Sequence, residues 1–332
     1  MTATADIAVL IVAYRSRDTL PRVLEALQAQ TMAPARALVL ENGSPPGEAI
    51  DSALVNGRAE LIISEENLGF AAGNNRLAAM VDQSWIFLLN PDAFPEPDLI
   101  ERLNEAIERY PDVALFGCTQ TADGAPGVLD GVGDVYHFTG LPYRAGYGRR
   151  QAPPPDGEVF GPCGAAALIR RDVFETLGGF DEDFFCYVED VDLAFRARLL
   201  GHRCIQLNGA RVAHKGYASS GRRSEFAAYH GARNRFWTFF KNVPGWLLWA
   251  LAPVHLIVTA LLWLSAARFG LFGAFGRAMR DAVAAWPRLM EKRRHTQAAR
   301  CISTWRAARM MSWNPARLIT RAADVRPLRP DP

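Results

Sequence analysis

Short β-branched apolar runs alternate with stretches of helical period across the first third of this 332-residue chain, and that alternation limits the fold more than any other feature. Residues 7–13 carry no polar side chain, the mark of a strand buried on both faces of a parallel sheet. Residues 18–28 follow with Leu20, Val23, Leu24 and Leu27 at helical spacing. The same reading predicts buried strands at 37–40, 61–63, 85–89 and 113–116 and helices at 70–81 and 97–110. Pro97 opens the last helix, where its missing N–H costs nothing. The expected class is α/β: a mostly parallel sheet with helices on both faces over the first 120 residues.

Beyond this, residues 140–158 are rich in Gly, Pro and Arg without period and predict a long mobile loop, the kind that often carries function. Strands are expected at 165–169 and 203–207, and a helix at 190–200 closed by Gly201. After Arg222 the pattern is helical throughout. One domain of roughly 220–250 residues plus an appendage suits the length.

In an open α/β sheet, ligands bind beyond the carboxyl ends of the strands. That rule selects Tyr14 and Arg15, Glu41 and Asn42, and Asn90-Pro91-Asp92. Each alone is an ordinary turn residue; three such groups at successive strand ends indicate a site. Glu41 offers acceptors to a ribose or base, and Asp92 a hard oxygen ligand for Mg²⁺ or Mn²⁺. Between Phe180 and Asp192 lie six carboxylates (Asp181, Glu182, Asp183, Glu189, Asp190, Asp192) and four aromatic rings. A solvated acidic loop does not carry that many rings. Carboxylates crowded beneath them raise one another's pKa, which suits a general base. Capping of the following helix accounts for one of the carboxylates, not for all. A lone histidine such as His214 is by itself more often structural.

These residues resemble a known family. Ile11-Val-Ala-Tyr14 with Leu40-Glu-Asn-Gly-Ser44, then Glu66-Asn-Leu-Gly-Phe-Ala-Ala-Gly-Asn-Asn75, then Leu88-Leu-Asn-Pro-Asp-Ala93, then Gly178-Gly-Phe-Asp-Glu-Asp-Phe-Phe185 through Glu189-Asp-Val-Asp-Leu-Ala-Phe-Arg196 to His214 are similar, in order and spacing, to the family 2 glycosyltransferases of the bacterial rhamnosyltransferase-like branch. The resemblance implies a GT-A-type, Rossmann-like mixed sheet with a helical C-terminal appendage. It divides the chain into a nucleotide-sugar half (1–120), an acceptor-binding and catalytic half (121–240) and a helical region (241–332). It implies Asp190 as catalytic base, Asp92 and His214 as ligands of Mg²⁺ or Mn²⁺, and Tyr14, Glu41, Asn67, Gly69, Asn75 and Asp92 as the donor site. Asp181, Glu182 and Glu189 would border the acceptor. The implied partners are a nucleotide-sugar donor and a glycan or lipid-linked acceptor in cell-surface polysaccharide synthesis. The reaction implied is a single inverting displacement. Glu41 in place of Asp, and Arg15 in place of Asn, depart from the family where the base is read; Asn90 in place of the first Asp of D-x-D leaves the metal to Asp92 and His214.

Two rivals are weighed. A sugar nucleotidyltransferase needs a glycine-rich loop after the first strand, and Tyr14-Arg15-Ser16-Arg17 contains no glycine. An inactive membrane-bound carbohydrate-binding protein is disfavoured by the retained Asp92, Asp190 and His214.

Residues 246–267 contain no Asp, Glu, Lys or Arg, and from Arg268 onward 14 basic and 4 acidic side chains give a net +10. An apolar run followed by a basic tail favours an anionic lipid surface over nucleic acid. The expectation is a helical region lying on the membrane, with a single transmembrane helix as the alternative and a helical hairpin packed on the catalytic body or a homodimer interface as the third reading. The catalytic part would face the cytoplasm, at the inner membrane. The five cysteines form no C-x-x-C pair, so neither a zinc site nor a disulfide framework is expected, and Asp6 interrupts any secretory signal.

Overall fold

Strand β1 (Thr4–Ala13) lies in the middle of the sheet and is buried on both sides. Ile7, Val9, Ile11 and Ala13 face one apolar cluster, and Ala8 and Leu10 face the other. A continuous apolar run is therefore what this position requires. The structure, a computed structural model, describes residues 3–216 and 224–328.

The remaining strands are β2 (Ala33–Asn42), β3 (Glu60–Ser64), β4 (Trp85–Leu89), β5 (Ala93–Pro95), β6 (Leu115–Ala122), β7 (Leu129–Gly131), β8 (Asp134–Tyr136), β9 (Pro142–Arg144), β10 (Gly157–Glu158), β11 (Ala166–Arg170) and β12 (Cys204–His214). The helices are α1 (Leu20–Gln28), α2 (Ser52–Val55), α3 (Gly69–Ala78), α4 (Leu99–Arg109), α5 (Arg171–Thr176), α6 (Glu189–Leu199), α7 (Glu225–Asn242), α8 (Gly245–Ala266), α9 (Phe272–Ala284), α10 (Trp286–Ala299), α11 (Thr304–Met310) and α12 (Pro315–Thr320). The main sheet runs β10-β12-β6-β11-β4-β1-β2-β3, with β5 on β12 and β7 on β6. Neighbours β1, β2, β3 and β4 are parallel, as are β6 and β12; β11 runs antiparallel between β4 and β6. This is the mixed, mostly parallel sheet that was expected.

Several elements differ from the sequence reading, among them the strand expected at 113–116, which is β6 at Leu115–Ala122. Strand β2 begins four residues before 37 because its half-exposed start pairs with Thr4 and Ala5. Strand β12 continues past 207 to His214, across a bulge between Leu207 and Arg211. Its second stretch pairs β5, which sets His214 opposite Ala93 and so beside Asp92. The stretch 140–158 is not one structureless loop: Pro142–Arg144 pairs with Asp134–Tyr136 as a small hairpin.

The helical stretch expected after Arg222, itself outside the described residues, packs on the catalytic body. Lys241 of α7, 2% exposed, bridges Asp181 and Asp192, and Asn242 donates to Asp192 at 2.8 Å. From α10, Lys292 pairs with Asp181 and Asp183. Arg293 and Gln297 donate to the last carbonyls of α7. Helix α8 lays a stripe of Leu247, Leu248, Leu251, His255 and Thr259 inward. At its middle the His255 ring stacks on Phe239 at 4.0 Å, and Nδ1 donates to the Thr139 carbonyl. Its outer face exposes Trp246, Trp249, Ile257, Leu261 and Leu264.

Candidate active site

The carboxyl ends of β1, β2, β4 and β12 meet in one cleft of about 380 Å³, lined by Tyr14, Asn42, Asn67, Gly69, Asn90, Asp92, Arg144 and His214 among others. Asn67 Oδ1 accepts from Asn42 Nδ2 at 3.0 Å and from the Gly69 amide at 2.9 Å, which fixes the turn into α3. Gly69 has φ +78°, and a Cβ there would lie 2.5 Å from the Phe185 carbonyl oxygen. Only glycine fits this wall.

Two expected donor-site residues stand elsewhere. Glu41 is buried behind the cleft, and its two carboxylate oxygens accept from the Ser44 and Ile50 amides at 2.7 and 2.8 Å. It holds the 42–50 turn. Asn75 accepts from the Phe180 amide and donates to the Phe180 carbonyl and to Glu182. It pins residues 180–182 to α3 and does not line the cleft.

Asp92 and His214 converge, with Oδ1 and Nε2 3.3 Å apart. On its other side, His214 Nδ1 lies 2.7 Å from Asp130, which Arg144 also contacts. A carboxylate on the far ring nitrogen is the arrangement that orients a metal-bound histidine. Asp92 oxygen and His214 nitrogen form a donor pair suited to Mn²⁺ or Mg²⁺, opening on a polar cleft. Burial alone would lower the His214 pKa, but its hydrogen bonds to Asp130 and Asp92 outweigh that and raise it to about 9. Burial pushes Asp130 up; His214 and Arg144 together hold it below the usual carboxylate range. Asp130 and Arg144 were not legible in the sequence. The one signal was that Arg144 lies in the glycine- and proline-rich stretch expected to carry function.

A second pocket of about 250 Å³ adjoins the cleft and shares Phe70, Asn90, Arg144, Cys186 and Tyr187 with it. Its walls include Asp190, Glu189, Asp134, Cys163 and Tyr143. Asp190 accepts from the Gly164 amide at 2.9 Å and from the Val191 amide at 2.8 Å. Burial raises the Asp190 pKa, while those two amides and Arg144 pull it back. Burial, with Asp190 next to them, pushes Glu189 and Asp134 well above their ordinary values. The oxygens of Asp134 and Asp190 and the Cys163 sulfur lie within 4.8 Å of one another.

The six-carboxylate run therefore divides. Glu189 and Asp190 face the pocket. Asp181, Asp183 and Asp192 are consumed by Lys241, Lys292, Arg288 and Arg196. At Asp181 burial is outweighed by Lys241 and Lys292, which hold the carboxyl far below its usual range. Of the residues expected to border the acceptor, only Glu189 lines this pocket; Asp181 is held by Lys241 and Lys292, and Glu182 is exposed and accepts from Asn75.

Residues 8–178 match the family described as Glycosyl transferase family 2. The chain is 28% identical over 254 residues to N-acetylglucosaminyl-diphospho-decaprenol L-rhamnosyltransferase of Mycobacterium tuberculosis, covering 68% of this chain and 82% of that one. Its fold is similar to mannosyltransferase PcManGT from Pyrobaculum calidifontis, solved with GDP-Man and Mn²⁺ (TM-score 0.53, 17% identity, 92% of this chain and 87% of that one). It is also similar to GalNAc-T7, solved with UDP, GalNAc and Mn²⁺ (TM-score 0.56, 13% identity, 71% of this chain and 47% of that one). The helix-flanked mixed sheet and the match over half the chain agree: this chain belongs to glycosyl transferase family 2, has the GT-A-type fold, and is a glycosyltransferase.

Proposed function

We propose that the enzyme moves a sugar from a nucleotide-diphosphate sugar to a glycan or lipid-linked acceptor in cell-surface polysaccharide synthesis, inverting the anomeric centre. One observation carries this reading. A cleft holding Asp92 and His214 opens directly onto a pocket holding Asp190, with Asn90 and Arg144 in the shared wall. Donor and acceptor would meet at that wall. Tyr14, Asn67 and Gly69 bind the nucleotide part, while Glu41 and Asn75 act by holding the turns behind it. Asp92 and His214 would hold Mg²⁺ or Mn²⁺, which when bound supplies positive charge to the leaving diphosphate. Asp190 takes the proton of the acceptor hydroxyl as its oxygen attacks, and one displacement requires no carboxylate nucleophile. The mycobacterial relative's name favours a deoxyhexosyl donor such as activated L-rhamnose and a lipid-diphosphate acceptor. The test is a nucleotide-sugar screen with a polyprenyl-diphosphate-linked sugar acceptor. Transfer is expected to stop with EDTA and return with Mn²⁺, and the product is expected to show the inverted anomeric configuration by NMR. Retained configuration or EDTA-resistant transfer would overturn the reading.

The enzyme is further proposed to sit on the cytoplasmic face of the plasma membrane. Helix α8 with the turn after it, Gly245–Phe269, is long and apolar enough to cross a bilayer, with mean hydropathy 2.1. However, its inner stripe is committed to the catalytic body through His255, Phe239 and Thr139. That supports a helix lying in the plane of the membrane with Trp249, Ile257, Leu261 and Leu264 immersed. Each basic residue near an anionic leaflet contributes about 1 kcal/mol. The protein should co-sediment with phosphatidylglycerol vesicles, be partly released by high salt, and lose binding in Trp249→Glu/Leu261→Glu. A protein that ignores such vesicles and forms dimers, which the same Trp249→Glu/Leu261→Glu change dissociates, would show a homodimer face instead.

A further inference from the structure

The segment that leads into α6 is strained. Phe185, Tyr187 and Val188 have φ of +63°, +71° and +70°, and none is glycine. Side chains in this region of backbone space cost free energy and persist only where the surroundings over-determine them. Tyr187 and Val188 immediately precede Glu189 and Asp190, and both line the pocket that holds them.

The surroundings can be named. Asn234 of α7 is fully buried, and its side-chain amide nitrogen lies 2.8, 2.9 and 2.8 Å from the carbonyl oxygens of Phe184, Cys186 and Tyr187, its two hydrogens shared among the three. Its Oδ1 accepts from Arg233 Nε at 3.0 Å, and Arg233 Nη2 donates to the carbonyls of Asp183 and Phe184 at 2.8 and 3.2 Å. From the opposite side the Phe185 carbonyl accepts from the Ala71 amide at 3.1 Å. Carbonyls that turn inward in this way need internal donors. The two N–H groups of one side chain serve three of them.

We propose that Asn234 is a positioning residue for transfer: its amide locks the 184–188 segment, with Phe185, Tyr187 and Val188 at positive φ, in the conformation that delivers Asp190 to the acceptor hydroxyl. This rests on Asp190 being the base. Asn234 touches neither substrate; it acts through the loop. Without it the loop relaxes toward ordinary backbone angles and Asp190 leaves the Gly164 amide. The groups facing Asp190 are Asp134 from β8, Tyr143 and Arg144 from β9, Cys163 and Gly164 from the turn before β11, Cys186 and Tyr187 from the loop itself, and Glu189 on its own helix. Losing the Gly164 hydrogen bond removes one of the interactions that keep Asp190 ionised.

The experiment uses the full chain. Asn234→Ala is expected to lower kcat about 10²-fold, the cost of a misplaced catalytic group of roughly 1 Å. The acid limb of kcat should move to higher pH, while binding of a nucleoside diphosphate with Mn²⁺, measured by calorimetry, stays unchanged. A residue needed only for stability would lower the melting temperature and move neither the limb nor the kcat of the folded fraction. Should Asn234→Ala not fold, Arg233→Lys, which removes the two bonds to Asp183 and Phe184, should give a smaller fall in kcat and the same direction of limb shift. Normal kcat with an unmoved limb in whichever of the two folds overturns the proposal. Asp190→Asn separates the two failures. An inactive Asp190→Asn beside a normal Asn234→Ala removes only the clamp, and an active Asp190→Asn removes the base and the clamp together.

Discussion

Asp190→Asn lowers kcat by about 10²–10⁴-fold, the usual share of a general base, and leaves nucleoside-diphosphate and Mn²⁺ binding intact. The amide keeps the size but not the whole bonding: Gly164 and Val191 donate to different oxygens of Asp190, so the single oxygen of asparagine can accept from only one of them, and the side chain takes no proton. In the parent enzyme the carboxyl must be ionised to act. Burial raises its pKa, so turnover should rise with pH along a limb above the ordinary aspartate value of about 3.9. Single-turnover rates across pH measure both expectations. Near-normal turnover in Asp190→Asn would exclude it as base and pass the role to Glu189 or Asp134, which share its pocket. Asp192 is not a substitute, because Lys241, Arg196 and Asn242 occupy its oxygens.

Asp92→Ala and His214→Ala should each abolish high-affinity Mn²⁺ binding in the presence of a nucleoside diphosphate. Each removes one of two donors that stand 3.3 Å apart, and the remaining one is an ordinary monodentate group. Asp130→Asn should be milder, on the order of 10–100-fold in metal affinity, because an outer carboxylate only orients the imidazole. The graded series, read by calorimetry, distinguishes a metal centre from a structural hydrogen-bond chain. In the latter case Mn²⁺ affinity would be undiminished in all three while the melting temperature fell.

The parallel half of the sheet was legible because burial on both faces leaves a continuous apolar run: the strand at 85–89 has its predicted ends. Where a strand is half-exposed, as at the start of β2, or bulged, as in β12, hydrophobic pattern ends before pairing does. In the candidate site, Asp92 and Asp190 stood at predicted strand and helix ends and could be picked out, whereas His214 lay beyond the strand expected at 203–207 and entered only through the family resemblance. Asp130, Asp134 and Arg144 could not, because they ride on three-residue strands whose partners are set by tertiary contacts. Glu41 and Asn75 show the reverse error. A polar side chain that holds a distant turn looks the same in sequence as one that holds a ligand. The acidic run held both kinds, and the basic side chains packed against it, Arg196, Lys241, Arg288 and Lys292, sort them.

The way α10 closes over the end of α7 decides how the exposed apolar face of α8 can be removed. Cutting the chain after residue 242 would discard the outward apolar helix, but it would also discard Lys292, which neutralises Asp181 and Asp183, and the Arg293 and Gln297 side chains that satisfy the final carbonyls of α7. The shortened chain would leave Asp183 without Arg288 and Lys292, Asp181 with Lys241 alone, and the end of α7 frayed behind the loop that precedes α6. Replacing the exposed apolar residues of α8 with polar ones, while leaving its inner stripe and everything downstream untouched, removes the outward apolar face without disturbing that packing.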